Sequence, residues 1–338
     1  MNGTFFEPAF RYVYVEDRAA GLPQTRRILA KLPQAHVIPI RHYKDVFNRS
    51  RQDITAQSRS LALILADEPD PRVYPGAPVC QNFGNDAFYY TSTVMNCVYD
   101  CEYCYLKGMY PSANLVIFTD QSRTFAEVDR LLARGPVYLC ISYDTDLAAI
   151  EPLTGFLREW YAFAQDRPGL TIEIRTKCAN QALLSTLPVL SDVIWAFTLS
   201  PEKVAQRFEK KAPELERRLA AARYAASRHI PLRLCFDPML RFPGWEEEYR
   251  KLAQMVRDEL DPEQVRDISI GTFRISTQYL GQMRARQPES PLAQYPYTVC
   301  GGVASYGAKS AEMTAYMAGL LDGWMSRDRM FFWNEREE

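Results

Sequence analysis

The sequence predicts an α/β fold: a partial (β/α)6-type barrel with a small N-terminal α/β cap and a C-terminal hairpin and helix extension. Three observations predict it. From Asp86 onward, near-continuous apolar runs alternate with amphipathic helical patterns, which is the signature of a parallel sheet covered by helices. Before that point the chain has short strand-like runs of its own, set apart by a proline-rich stretch. After the last apolar run the rhythm stops in a segment rich in Tyr and Gly. The expected divisions are 1–80, 81–276 and 277–338.

In order, the cap shows strand-like runs at 11–15, 37–40 and 61–65, and one helical pattern at 24–32. Pro69 to Pro78 holds four prolines and a glycine and predicts a stiff linker or lead-in loop. Barrel strands are expected at 88–93, 115–119, 137–143, 170–176, 193–199, 232–236 and 267–275. Helical patterns between them fall at 125–133, 150–163, 181–187, 214–227 and 245–260. Tyr295 to Lys309 reads as an irregular loop or hairpin, with Arg284, Arg286 and Lys309 near its aromatic residues. The pattern at 310–325 carries Met313, Met317, Leu320, Leu321 and Trp324 as a core-facing stripe, and a charged tail, 334–338, is expected to be disordered.

Three cysteines in eight residues, Cys97, Cys101 and Cys104, follow the first barrel strand. Thiolates select iron–sulfur clusters, zinc or copper(I), and one short loop with three of them can wrap one inorganic centre. No Cys or His follows Cys104 at ligand spacing, so a closed structural zinc set of four is not spelled out. Zinc with Cys80 as a distant fourth ligand, or three buried free thiols, are the competing readings. In a parallel α/β fold, sites gather at the carboxyl ends of strands. That makes Asp144 to Asp146, Lys177, Thr198, Ser200 and Asp237 candidates, although any one alone also fits a helix cap or a turn.

Composition narrows the class. The chain has 338 residues and is 47% hydrophobic, enough for one large or two smaller domains. Its longest apolar runs fall far short of the roughly 18–20 residues of a membrane span, and the start, with Glu7, Arg11 and Glu16, lacks a signal-peptide core. A cytoplasmic protein is expected, its eight cysteines reduced rather than a disulfide framework. Net charge is −1, but nine Lys or Arg lie between Arg18 and Arg59 against two Asp, and four between Arg274 and Lys309 against one Glu. Such excess fits either a phosphate-attracting surface or a solvated basic face.

The spacing C-x3-C-x2-C, with Tyr103 before the last Cys, resembles the signature of the radical S-adenosyl-L-methionine (SAM) superfamily. Further stretches resemble its spore photoproduct lyase branch: Cys101-Glu-Tyr-Cys-Tyr-Leu106, Ile150-Glu-Pro-Leu-Thr-Gly-Phe-Leu157, Thr176-Lys177, Arg218-Leu-Ala-Ala-Ala-Arg223 and Pro243-Gly-Trp-Glu-Glu-Glu-Tyr249. The resemblance implies a radical SAM barrel and a 4Fe–4S cluster on Cys97, Cys101 and Cys104, with the fourth iron binding SAM. It implies a lyase for DNA repair. A 5′-deoxyadenosyl radical would take a hydrogen from C6 of spore photoproduct (5-thyminyl-5,6-dihydrothymine) and split the lesion back to two thymines. Another nucleic-acid or small-molecule substrate is the alternative.

Carried over by residue, Thr145, Asp146, Lys177, Thr198 and Ser200 fall where the family contacts SAM, with Thr145 and Thr198 in place of Ser and Ser200 in place of Asn. Tyr103 and Tyr105 match tyrosines of the radical relay. Damaged DNA and an electron donor such as a flavodoxin or ferredoxin are the implied partners, with a monomeric protein and no membrane. The family's hydrogen-donating Cys is replaced by Tyr143. Cys140 lies three residues upstream, where strict alternation along a strand would turn it to the opposite face. Tyr143 is therefore the expected donor and Cys140 the alternative.

Overall fold

The computed structural model describes residues 10–67, 70–77 and 79–333. Glu7, Pro69, Pro78 and the charged tail 334–338 lie outside the described residues. The central sheet has eight strands, in the order 330–332, 267–272, 232–239, 193–198, 170–176, 137–140, 88–91 and 73–75. All pair in parallel except Val73–Pro75, which is antiparallel at one edge. The six strands from Phe88–Thr91 to Asp267–Thr272 follow chain order and form the expected half-barrel. From Val137–Cys140 to Asp267–Thr272 they are buried almost throughout, which is why they read as continuous apolar runs rather than alternating ones, while Phe88–Thr91 is mostly half-buried.

One apolar run does not join the barrel. Residues 115–119, expected as a barrel strand, instead supply Leu115–Phe118 to a second sheet, parallel to Leu63–Ala66. That sheet also contains His36–Ile40, Tyr12–Glu16 and Val94–Met95. Leu115–Phe118 is buried on both faces in either placement, so its composition carries no information about which sheet it enters. Three other elements differ from their expected bounds. The run 137–143 leaves the sheet at Cys140, and 267–275 breaks at Phe273, beyond which Arg274–Ser276 pairs with the hairpin of Thr298–Cys300 and Val303–Ser305. The pattern at 150–163 is two helices, Leu147–Thr154 and Phe156–Gln165, divided by Gly155 at φ 71°, which favours glycine.

Local chemistry explains that helix pair. Asp146 caps the first helix by accepting from the Ala149 amide at 3.1 Å. Glu151 then reaches past the break and accepts from the amides of Leu157 (2.7 Å) and Arg158 (3.3 Å) at the start of the second. Burial pushes the Glu151 carboxyl up to about 7. A folded-state value above the unfolded one means that the protonated form favours folding, and this contribution is lost as pH rises through about 7. Glu151→Gln removes that loss. The stability of the variant relative to the parent should therefore rise by about 2 kcal/mol between about pH 5 and pH 8, measured by urea unfolding. A pH-independent difference would contradict the assignment.

Inside the half-barrel lies a charged layer. Arg233 is buried and donates to Glu173 and the Tyr138 hydroxyl at 2.5 Å and to Asp267 at 2.8 Å, with its guanidinium 3.3 Å from the Phe83 ring centroid. Arg233 and Asp267 are direct register partners on adjacent strands, so the sheet itself aligns the pair. Above this layer, toward the carboxyl ends of the strands, the interior opens.

Candidate active site

A cavity of about 410 Å³ occupies that end, within the usual size range of small-molecule sites. Cys97, Cys101 and Cys104 all line it. Their loop is the long connection between Val94–Met95 and Leu115–Phe118, which pair antiparallel. Asn96 and Asp100 turn it through left-handed conformations, at φ 71° and 51°, which Asn and Asp adopt more readily than most residues. Asn96 is pinned by donating to the carbonyls of Ser112 and Asn114, both at 2.8 Å, and Asp100 pairs with Lys107. Among the described residues no three His, Cys, Asp or Glu side chains converge on the position of a single metal ion. Cys80, the distant fourth ligand of the zinc reading, is hydrogen-bonded to the Tyr143 hydroxyl. Burial raises all three loop thiols, Cys101 to about 12, so a cationic centre is what would convert them to thiolates.

Thr145, Asp146, Lys177 and Thr198 line the same cavity. Thr145 Oγ1 is buried there without a hydrogen-bond partner, an orphan that a ligand would satisfy. Asp146 is already engaged: besides the helix cap it accepts from Thr176 Oγ1 at 2.8 and 2.9 Å and from the Lys177 amide at 2.7 Å. It therefore braces the strand end that carries Lys177. Ser200, grouped with these residues on sequence, lies outside the cavity walls and donates to Glu209 at 2.8 Å. Lys177 sits over the Tyr103 ring, 5.6 Å from its centroid.

Glu209 is the residue that the sequence did not point to. It is fully enclosed and accepts from Arg218 at 2.5 Å, from Ser200 and from the Tyr103 hydroxyl. Burial by itself would push its carboxyl up, but the charges of Arg218 and Lys177 hold it below the usual range. An arginine inside the Ala-rich face of the Leu215–Ser227 helix was the available signal, since a buried guanidinium needs a carboxylate. Nothing in the sequence says which one.

The tyrosines form a second group. Tyr105 donates to Asp144 at 2.8 Å and to the Tyr143 carbonyl at 3.0 Å, and Tyr110 and Ser92 also donate to Asp144. Tyr143 stacks on Tyr90 with ring centroids 4.0 Å apart, and Tyr105 lies 5.9 Å from it. Tyr143 and Cys140 both line the cavity, which corrects the opposite-face expectation. The strand ends at Cys140, so its alternation does not extend to Tyr143.

The basic segments are more engaged than their composition suggests. Arg284 donates to the carbonyls of Ala293 and Tyr295, both at 2.9 Å, and Arg286 to those of Lys107 and Tyr110. Both arginines hold chain segments together instead of forming an open phosphate-binding patch. Tyr295, Tyr297 and Tyr306 pack on one another at the hairpin base, with centroids 4.9 to 5.4 Å apart, while Val299 is exposed on the hairpin. In the N-terminal run, Arg18 pairs with Glu16, Arg27 with Glu159, and Lys31 donates to the carbonyls of Pro152 and Leu153. No helix among the described residues is long and apolar enough to cross a membrane.

A parallel half-barrel with a three-cysteine loop opening at the carboxyl ends of its strands is the radical SAM type of fold. The profile of the spore photoproduct lyase family matches residues 84–289, and the chain belongs to that family. It is 26% identical over 181 residues to a spore photoproduct lyase of Bacillus subtilis (strain 168), a match covering 50% of this chain and 51% of that protein. The aligned region thus spans about half the length of that relative. Among solved structures, a spore photoproduct lyase complexed with dinucleoside spore photoproduct superposes with a TM-score of 0.81 at 17% identity, over 96% of this chain and all of the other. A doubly substituted variant with bound AdoMet and dinucleoside spore photoproduct gives a TM-score of 0.78 at 18% identity, over 97% of this chain and 98% of the other.

Proposed function

We propose that the chain is a radical SAM lyase that splits spore photoproduct in DNA back to two thymines. The observation that carries this is the opening of Cys97, Cys101 and Cys104 into the same cavity as Lys177 and the unsatisfied Thr145 hydroxyl, in a member of this family. Three soft donors on one loop and an orphaned polar atom beside them fit a 4Fe–4S cluster and the polar groups of SAM. When bound, that pair supplies a deoxyadenosyl radical able to take a hydrogen atom from C6 of the lesion.

The chain's own part is enclosure and aim. Cys97, Cys101 and Cys104 hold the cluster, Thr145, Lys177 and Thr198 face SAM, and Asp146 keeps Lys177 in place from behind. Ser200 acts at one remove, through Glu209, Tyr103 and Lys177. The tyrosine wall and the buried charged layer shut water away from a species that would otherwise react with it. Damaged DNA and a small electron-transfer protein such as a flavodoxin or ferredoxin are the partners this reading requires, with a monomer working in the cytoplasm.

The test is anaerobic reconstitution with iron and sulfide, then dithionite, SAM and dinucleoside spore photoproduct. Formation of 5′-deoxyadenosine with conversion of the lesion to two molecules of thymidine is expected. Absence of 5′-deoxyadenosine would sink the radical SAM assignment, and its formation with an untouched lesion would sink the substrate.

A further inference from the structure

The cysteine loop has a second face. Away from the large cavity, a separate hollow of about 40 Å³ is lined by Cys97 and Cys104, by Asp100 and Lys107 of the same loop, and by Ile54 and Ser58 of the helix Ile54–Arg59. That helix has no buried residue, so only a thin, solvent-exposed turn of chain walls the loop on this side. The hollow is far below the usual size of a small-molecule site, which leaves a surface, and not a small ligand, as what can meet it. The charges around it are unbalanced. Asp100 is matched twice, by Lys107 and by Lys211 at 3.4 Å, and Lys211 also donates to the Ser58 carbonyl. Asp53 is spent on capping the helix, accepting from the Ala56 amide at 2.9 Å. Arg51 and Arg59 at the ends of the helix segment, and Lys210 beside Lys211, stand exposed.

We propose that this basic face, centred on the helix Ile54–Arg59 and on Lys210, is where an acidic protein carrying a one-electron centre docks to deliver its electron. This rests on the cluster reading given above. Electron tunnelling weakens steeply with distance, and here two of the three loop thiols border a hollow at the protein surface. One electron leaves the carrier, which is oxidised, and enters the centre held by the three thiolates, which is reduced; no bond or proton is exchanged. Surplus positive charge around the hollow steers a carrier with a negative rim and fixes its orientation. Nucleic acid fits the face less well. A lesion has to enter the large cavity, and the hollow shares only Cys97, Cys104 and Leu106 with it. Substrate and reductant therefore approach the loop from different sides, so one need not leave before the other arrives.

Two binding measurements on the cluster-loaded protein test it, with a purified flavodoxin of net negative charge as the probe. In calorimetric titration the parent's affinity should fall with added salt, and Arg59→Glu combined with Lys210→Glu should weaken it about tenfold or more at low salt. Arg59→Gln with Lys210→Gln, which removes charge without adding any, should lie between. Carbodiimide coupling of the parent to the flavodoxin, followed by peptide mass mapping, should join Lys210 to carboxylates of the carrier. With dithionite in place of the flavodoxin, both double variants should form 5′-deoxyadenosine at the parent rate. Parent-like flavodoxin binding by the Glu variant, or cross-links confined to Lys251 and Lys309 on the helices Trp245–Glu259 and Ala308–Leu320, overturns the docking face and leaves the lyase reading standing. So does a Glu variant that binds flavodoxin normally and loses affinity only for duplex DNA, which would make the face a nucleic-acid surface. A parent protein that forms no 5′-deoxyadenosine with dithionite overturns both.

Discussion

Alanine at Cys97, Cys101 or Cys104 is expected to remove the brown iron–sulfur absorbance and 5′-deoxyadenosine formation together, down to background. Two remaining thiolates cannot hold a four-iron cluster with one iron left free for SAM. Partial retention of both signals by any of the three single variants would count against the assignment. Cys80→Ala should keep the absorbance, because the Cys80 sulfur is committed to Tyr143 and not to the cysteine loop. Loss of metal from that variant would instead favour a four-thiolate site.

The largest effect on folding is expected at Arg218. It and Glu209 are both fully enclosed, and removing one partner leaves the other as an uncompensated buried charge. Arg218→Met should destabilise the protein by about 3–5 kcal/mol in urea unfolding. Glu209→Gln in the same chain should restore a good part of that loss, since the orphaned charge is then gone. A double variant as unstable as the single one would show that packing around the Arg218 stem, and not its charge, sets the cost. Because Glu209 also receives Tyr103 and Ser200 and helps to fix the surroundings of Lys177, the single variant should weaken SAM binding as well.

The half-barrel was legible because its strands are buried on both faces and its helices have one apolar side, and those are the two periodicities a sequence displays. The shared position of the three loop cysteines on one cavity was legible because they are neighbours along the chain. What stayed hidden was long-range. The partnership of Leu115–Phe118 with Leu63–Ala66, the carboxylate that meets Arg218 and the approach of Cys80 to Tyr143 join segments far apart in sequence, with no local pattern to announce them. Ser200 shows the converse. A polar residue at a strand end looked like a ligand contact, yet its hydroxyl is spent on a neighbour inside the protein. Tyr143 and Cys140 show how far alternation can be trusted: only while the strand lasts.

The cysteine loop hangs from the N-terminal sheet, through Val94–Met95 and Leu115–Phe118, whereas Thr145, Lys177 and Thr198 stand on the barrel. On the function proposed above, the chain is a two-part jig, with the electron source clamped in one jaw and the workpiece in the other. Alignment of the jaws is secured by ties that touch no substrate: the Glu102 amide on the Phe208 carbonyl, Arg286 on the carbonyls of Lys107 and Tyr110, and Lys211 on Asp100 and the Ser58 carbonyl. A barrel excised at the proline-rich stretch would keep most of its cavity walls and lose the footing of the three loop cysteines, so neither part is a module that could be transplanted without the other.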